Sequence, residues 1–355
     1  MIKAKIKRRN TRAVRVGNVV IGGGAPVSVQ SMTCTKTEDA AATVEQILRL
    51  EQAGCEIVRV AVPSKQAAEA VGPIREAIHI PLVADIHFDY RLALRVIELG
   101  VDKVRINPGN IGSRSRIEKV LSAAGERDIP IRIGVNSGSL EKDLLKQYDG
   151  VTPEALAESA LRHVRICEAF GFEDIVISVK ASDVPMMIAT NRLLSDQVDY
   201  PLHLGVTEAG TPRTGTIRSA VGIGALLAEG IGDTIRVSLT GDPVEEVKAG
   251  FDILKSLRLR EHGVTVISCP TCGRTQTAMF QLADEVEKAL ADEEKPLTVA
   301  VMGCAVNGPG EAKEADIGVA CGKGDALLFK KGKVIRKIRE EEIVRTLVKE
   351  VREWE

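Results

Sequence analysis

A chain of 355 residues with 44% hydrophobic content can bury a large core, and its length suggests one large domain plus a smaller one. A formal net charge of -1 gives no general pull toward nucleic acid or membrane, and 3% aromatic residues leave no base-stacking platform for single strands. No run is long and apolar enough to span a bilayer. Residues 1–15 are basic, with no acid before Glu38 and no apolar stretch of the signal-peptide kind, and read as a polar strand or hairpin capping the first domain. From 26 to about 258, short β-branched runs alternate with longer amphipathic stretches. The runs are 26–32, 56–62, 82–87, 103–107, 131–136, 174–180, 202–207 and 234–240, with helix-like segments such as 38–53, 153–170 and 216–228 between them. Eight βα units in about 230 residues predict a closed (β/α)8 TIM barrel in residues 1–260, with an open doubly wound sheet as the alternative. A small α/β domain is expected over 261–355: strands at 264–268 and 297–302, a helix at 275–290 between them, a strand at 317–320, a hairpin over 326–338 and a last helix at 340–354.

Several predicted barrel strands carry charge where a core prefers Val or Ile. Arg59, Arg105, Arg132 and Lys180 stand in four different strands, and burying an unpaired charge costs several kcal/mol. In a barrel the C-terminal strand ends converge on one mouth, so these cations predict a polyanionic ligand, specifically a diphosphate. Arg236 is a further candidate. Asn107, Asn110, Asn136 and Ser178 supply neutral hydrogen bonds at the same end, with Asp85 and His87 nearby. Glu208 follows a strand into a Gly-containing loop and is the best general-acid candidate. His203 reads as a core histidine.

The last quarter of the chain adds thiols. Cys269-Pro-Thr-Cys272 is followed by Cys304 in Met302-Gly-Cys-Ala-Val-Asn-Gly-Pro-Gly-Glu311. Soft thiolates select iron-sulfur clusters, zinc or copper, and a Cys-x2-Cys turn can present both sulfurs to one centre. Glu311 is a candidate oxygen ligand that substrate displaces from a unique iron. A structural zinc site and a thioredoxin-like redox pair remain open on spacing alone. The other cysteines, Cys34 near the mouth and Cys55, Cys167 and Cys321 in core-like segments, suggest a reducing cytoplasm rather than a disulfide framework.

Taken together, the motifs resemble the 4-hydroxy-3-methylbut-2-enyl diphosphate synthase family, in its short bacterial form. The resemblance runs from Arg8-Arg-Asn-Thr-Arg and Gly22-Gly-Gly-Ala-Pro-Val-Ser-Val-Gln-Ser-Met-Thr, through Arg105-Ile-Asn-Pro-Gly-Asn and Thr207-Glu-Ala-Gly, to Asn307-Gly-Pro-Gly-Glu311, and so covers nearly the whole chain. It implies a 4Fe-4S cluster on Cys269, Cys272, Cys304 and Glu311. The implied reaction is reductive opening of 2-C-methyl-D-erythritol 2,4-cyclodiphosphate. Arg59, Arg105, Arg132 and Lys180 would bind the diphosphate, Glu208 would be the acid near the departing oxygen, and flavodoxin or ferredoxin would be the electron donor. A competing reading is a Schiff-base lyase or aldolase on a phosphorylated sugar, using Lys180 and a structural zinc site.

Two expectations concern assembly. Barrel helices run back from the mouth, so the chain leaves the eighth helix near residue 260 at the far end. Four or five linking residues reach at most about 15 Å, less than the length of a helix of about 15 residues. A two-fold homodimer is therefore expected, in which the cluster domain of one subunit closes the barrel of the other. The basic segments Phe329-Lys-Lys-Gly-Lys and Arg336-Lys-Ile-Arg are a candidate docking site for an acidic electron donor.

Overall fold

The computed structural model describes residues 6–304, 310 and 312–354. They form two compact units, Met1–Arg260 and Glu261–Glu355.

The first unit opens with a two-stranded hairpin, β1 (Val14–Val16) and β2 (Val19–Ile21). Eight parallel strands follow: β3 (Ser28–Met32), β4 (Ile57–Ala61), β5 (Leu82–Ile86), β6 (Lys103–Ile106), β7 (Ile131–Asn136), β8 (Ile175–Lys180), β9 (His203–Leu204) and β10 (Thr234–Ile235). Their order is β8-β7-β6-β5-β4-β3-β10-β9, and a parallel bridge between Ile177 and Leu202 joins the two ends into a barrel. The closed form therefore replaces the open sheet. The expected seventh and eighth strands shorten to two residues each. Beyond them single backbone bonds carry the pairing, Arg236 N to Leu204 O at 3.0 Å and Thr207 N to Ala181 O at 3.2 Å.

The helices begin where a polar side chain meets the free first-turn N–H groups. Asp39 caps α1 (Ala40–Gln52), Ser64 caps α2 (Lys65–Ala77) and Asp89 caps α3 (Tyr90–Glu98). After α4 (Pro108–Ile111), α5 (Arg114–Gly125) and α6 (Lys142–Gln147), Thr152 caps α7 (Pro153–Ala169) and Asp183 caps α8 (Val184–Ser195). The helix expected at 216–228 starts earlier, as α9 (Pro212–Ala228), because Pro212 fits the first turn, where its missing N–H is not needed. Asp242 caps α10 (Pro243–Ser256). The apolar core lies between strands and helices. At the N-terminal end of the barrel, Val14, Val16 and Ile21 pack on Ile57, Val83 and Val176, so the hairpin plugs the floor. Arg9 ties the preceding segment down, donating to Ser195 O at 2.8 Å and Tyr200 O at 2.7 Å.

The second unit is a five-stranded sheet ordered β11 (Thr265–Ser268), β12 (Thr298–Met302), β13 (Ile317–Cys321), β14 (Asp325–Lys330) and β15 (Lys333–Arg339). The first three strands are parallel and the last two antiparallel. Helices α11 (Met279–Ala289) and α12 (Ile343–Arg352) bury Met279, Leu282, Val286, Ile343, Leu347 and Val351 against one sheet face. The helix expected from 275 begins at Met279 because the preceding residues are used elsewhere: Thr275 N bonds Cys272 O and Gln276 N bonds Gly303 O, both at 3.0 Å. The β14–β15 turn places Lys331 at φ 46° and Gly332 at φ 74°, the two left-handed residues of a tight hairpin.

Candidate functional site

Alternation along a strand sends every second side chain into the barrel. That rule brings Arg59, Asp85, Arg105, Arg132 and Lys180 into one interior from five consecutive strands. Asp85 is the organising anion, 3.5 Å from Arg59 and 3.0 Å from Arg105. Burial opposes its ionisation, yet Arg59 and Arg105 outweigh burial and hold the carboxyl at about 2. Burial lowers Arg59 to about 10, against the opposing pull of Asp85. Arg132 and Lys180 are pushed well down, first by burial and then by neighbouring guanidinium groups.

Two glycines make room for these cations. A Cβ on Gly134 would stand 2.2 Å from Arg105 Nε, and one on Gly205 would stand 2.7 Å from Lys180 Nζ. The chain thus gives up side-chain volume where the charged heads cross the barrel. Arg105 also reaches Gly134 O at 3.3 Å, and the Asn136 carboxamide can turn its oxygen to Arg105 Nη2 at the same distance. Asn107, directly after β6, is buried, and buried Ser178 stands two residues before Lys180 on β8 and so shares its face. Asp85, expected among the substrate contacts, is occupied in orienting guanidinium groups. Arg236 likewise pairs with buried Glu246 at 3.0 Å, so the ion-pair reading holds for this arginine.

The rim contributes different chemistry. Glu208 is exposed and holds φ 53°, a left-handed conformation disfavoured for a side-chain-bearing residue and found preferentially at functional sites. His87 is exposed after β5, its ring 6.2 Å from that of exposed Phe88. Cys34 is exposed after β3, its sulfur 3.1 Å from Gln46 Nε2. His203 is fully buried, in keeping with a core position. Lys103 is the interior cation that sequence reasoning misses, although it stands two residues before Arg105 and so shares its face.

In the second unit, Cys269 follows β11 and Cys304 follows β12, adjacent parallel strands that end side by side. Gly303 N donates to Cys269 Sγ at 3.1 Å, and Cys272 N donates to Thr275 Oγ1 at 3.1 Å. Cys269 and Cys304 are half-buried and Cys272 is exposed, which leaves the motif accessible. This donor set suits a soft metal centre: thiols from neighbouring strand ends, with a backbone N–H directed at sulfur. Among the described residues no three Cys, His, Asp or Glu side chains converge as an ion site, and Glu311 lies outside the described residues. Cys55, Cys167 and Cys321 are buried thiols pushed up to about 12 by burial, which makes them inert core groups.

The basic hairpin lies at the other end of this sheet. Register pairs Cys321 with Ala326 and Asp325 with Arg339, so the cysteine end of the sheet is the end away from the Lys331–Gly332 turn. Six residues of β14 separate the two ends, about 20 Å at strand rise. Lys330 pairs with Glu350 at 2.5 Å, and Lys330 and Lys331 lie 5.4 and 5.2 Å from the Trp354 ring centroid. The lysines at the tip thus have partners within the unit, about one strand length from the cysteine end.

The comparisons with known proteins agree with this arrangement. The family model for the GcpE TIM-barrel domain matches residues 11–251, and that for the GcpE protein C-terminal domain matches residues 265–353. The chain belongs to the GcpE family. A curated GcpE-family relative from Geobacter sulfurreducens is 60% identical over 344 residues, covering 97% of this chain and 98% of that protein. Another, from Caldanaerobacter subterraneus subsp. tengcongensis, is 60% identical and covers 97% of both chains. Both are named 4-hydroxy-3-methylbut-2-en-1-yl diphosphate synthase (flavodoxin). Among solved structures, dihydropteroate synthase from Stenotrophomonas maltophilia aligns with a TM-score of 0.52 at 14% identity, covering 70% of this chain and 97% of that one. N-acetylneuraminic acid synthetase from Leptospira borgpetersenii serovar Hardjo-bovis gives 0.52 at 14% identity, covering 80% and 99%. These two likenesses show the barrel fold of the GcpE chain and nothing further.

Proposed function

We propose that this GcpE-family enzyme catalyses the reductive ring opening of 2-C-methyl-D-erythritol 2,4-cyclodiphosphate to 4-hydroxy-3-methylbut-2-enyl diphosphate, a step of non-mevalonate isoprenoid synthesis. The observation that carries this reading is the convergence of Arg59, Arg105, Arg132 and Lys180 in one barrel interior, with glycines opposite their heads. Near-identical length and the synthase name of the curated relatives favour it over the Schiff-base lyase.

The cations bind the diphosphate and stabilise the negative charge that grows on the phosphoryl oxygen as the ring C–O bond breaks. Asp85 fixes the angle of Arg59 and Arg105. Glu208, free of an ion pair among the described residues, donates the proton that turns the departing C3 hydroxyl into water. The balance is two electrons and one proton in, one water out, and one additional negative charge on the freed phosphate, with a double bond formed between the two carbons. A 4Fe-4S cluster held by Cys269, Cys272, Cys304 and Glu311 would supply the electrons singly, taken from flavodoxin or ferredoxin. Residues 1–260 form the substrate domain and 261–355 the cluster domain on this reading. The setting is the reducing cytoplasm; no helix among the described residues is long and apolar enough to cross a membrane.

The same reading includes the two-fold homodimer. Arg260, where the first unit ends, donates to Val27 O at 2.8 Å and pairs with Glu56 at 2.9 Å. Both partners precede strand starts, so the chain leaves the barrel opposite its mouth. Helix α9 adds an apolar stripe, Ile217 and Val221, each more than half exposed, suited to a second copy. Chains carrying Cys269→Ser and Arg132→Met, each inactive alone, should recover activity when mixed. The main test is anaerobic preparation with iron and sulfide analysis and turnover of the cyclic diphosphate. Glu311→Ala should damage turnover more than cluster content. Colourless, zinc-only material that still turns over would overturn the reading.

A further inference from the structure

Beneath the diphosphate-binding cations the barrel holds titratable groups that the proposed reaction does not use. Lys103 lies two residues before Arg105 on β6, which turns it into the same interior about 7 Å nearer the plugged floor. It is 0% exposed, and its Nζ has no hydrogen-bond partner among the described residues. His203 on β9 is equally buried, with neither ring nitrogen bonded, and Lys180 Nζ on β8 is also without a partner.

The surrounding charges are nearly all of one sign. Lys103 faces Arg132 on β7 and Arg59 on β4, and it acts in turn on His203 together with Arg132, Lys180 and Arg59. From β5 comes Asp85, already shared between Arg59 and Arg105. Arg236, next to β10, is taken by Glu246 of α10. From β3 come two neutral groups, Gln30, whose Oε1 accepts from Arg132 Nη1 at 3.2 Å, and Met32, whose sulfur accepts from Arg59 Nε at 3.0 Å. Two carboxylates therefore stand against Arg59, Lys103, Arg105, Arg132, Lys180 and Arg236. Arginine keeps its proton in such a place, whereas lysine and histidine release theirs. Burial, followed by Arg132 and Arg59, accordingly holds Lys103 well below the usual lysine range.

An entering diphosphate reverses the sign of this field. Resting on the diphosphate reading of the site, we infer that binding is proton-linked: the anion draws a proton from solvent onto Lys103, which thereby becomes a specificity residue favouring a diphosphate over a monophosphate from below the contact layer. Lys103 orders no atom of the ligand. It strengthens the site in proportion to the charge that arrives.

The test is calorimetric titration of inorganic pyrophosphate into the full chain, in buffers of different ionisation enthalpy at one neutral pH. Wild type should take up protons beyond those explained by the ionisation of pyrophosphate itself. Lys103→Met, which has no proton to gain, and Lys103→Arg, which never loses one, should each take up about one proton fewer. The preference for pyrophosphate over orthophosphate should fall about tenfold in Lys103→Met, the factor expected if the second phosphoryl group makes the lysine ten times more ready to hold its proton. Unchanged uptake in either folded variant overturns the inference, and so does pyrophosphate binding to wild type without excess uptake; this last result needs no variant. If pyrophosphate does not bind wild type at all, the diphosphate reading falls and the inference with it.

Discussion

Replacing Asp85 by Asn should lower stability and raise anion affinity at once. The carboxylate is 3% exposed, 3.0 Å from Arg105 and 3.5 Å from Arg59. Its folded pKa of about 2 lies below the ordinary 3.8, so its contribution to stability is complete above 3.8 and is lost as pH falls through about 2. That difference corresponds to about 2.5 kcal/mol at neutral pH. Removing one partner of a buried ion pair typically costs about 3–5 kcal/mol because the other charge is left uncompensated. A loss of about 3 kcal/mol should lower Tm by about 6–12 °C in a unit of this size. Pyrophosphate at a hundred times its Kd should restore about 2.7 kcal/mol. The variant should need less of it than wild type to reach that point, since a carboxylate that repels the ligand is gone. Urea or thermal melts with and without pyrophosphate read both effects. A loss below about 1 kcal/mol would refute the assignment of Asp85 as the anion that organises the cations, whereas a weakened Kd for pyrophosphate would refute the expected gain in affinity and show that orienting Arg59 and Arg105 outweighs the repulsion removed.

Other substitutions probe the rest of the site. Gly205→Ala should drive a methyl into Lys180 Nζ and Arg236 O, each 2.7 Å from the added carbon, and weaken pyrophosphate binding at least tenfold while the barrel stays folded by circular dichroism; unchanged binding would show that Lys180 is not held there. Glu208→Gln should lower kcat by about a hundredfold or more with little change in KM, as expected for a lost general acid; a pure KM effect would reassign the residue to binding. Charge reversal at exposed Arg274 and Lys323, on the cysteine end of the second unit, should raise the apparent KM for a flavodoxin at low salt, whereas reversal at Lys330 and Lys331 should not. The opposite pattern would restore the hairpin tip as the docking site. Borohydride with substrate should leave Lys180 unmodified; a reduced adduct there would revive the lyase.

Much of this architecture is legible because the barrel writes it in period two. Isolated Arg residues inside Val/Ile runs can only face inward or be expelled, so Arg59, Arg105 and Arg132 announce a polar interior from their strand positions alone. Cys-x2-Cys and the later Cys304 announce a soft centre, but their adjacency rests on β11 and β12 pairing in parallel, which spacing does not encode. The ion pairs that Asp85 and Arg236 make, with Arg105 and with Glu246, join residues from separate elements and cannot be read from the sequence. Lys103 escapes notice because it opens its strand, where a lysine ordinarily marks the solvent boundary; the hairpin at the floor removes that boundary. The place of the basic hairpin is hidden for a topological reason: charge is visible in sequence, whereas the end of a sheet on which it falls depends on antiparallel register.

That hairpin also determines what kind of solvent the interior offers. With Val14, Val16 and Ile21 seated on Ile57, Val83 and Val176, the barrel is a cup rather than a pipe, and its dielectric is set from below. A chain started after Ile21 could still assemble its eight strands, but water rising through the open base would hydrate Lys103, let every cation keep its proton, and screen each from its neighbours. The residues nearest the amino terminus would then govern how strongly the opposite end attracts an anion, without touching it.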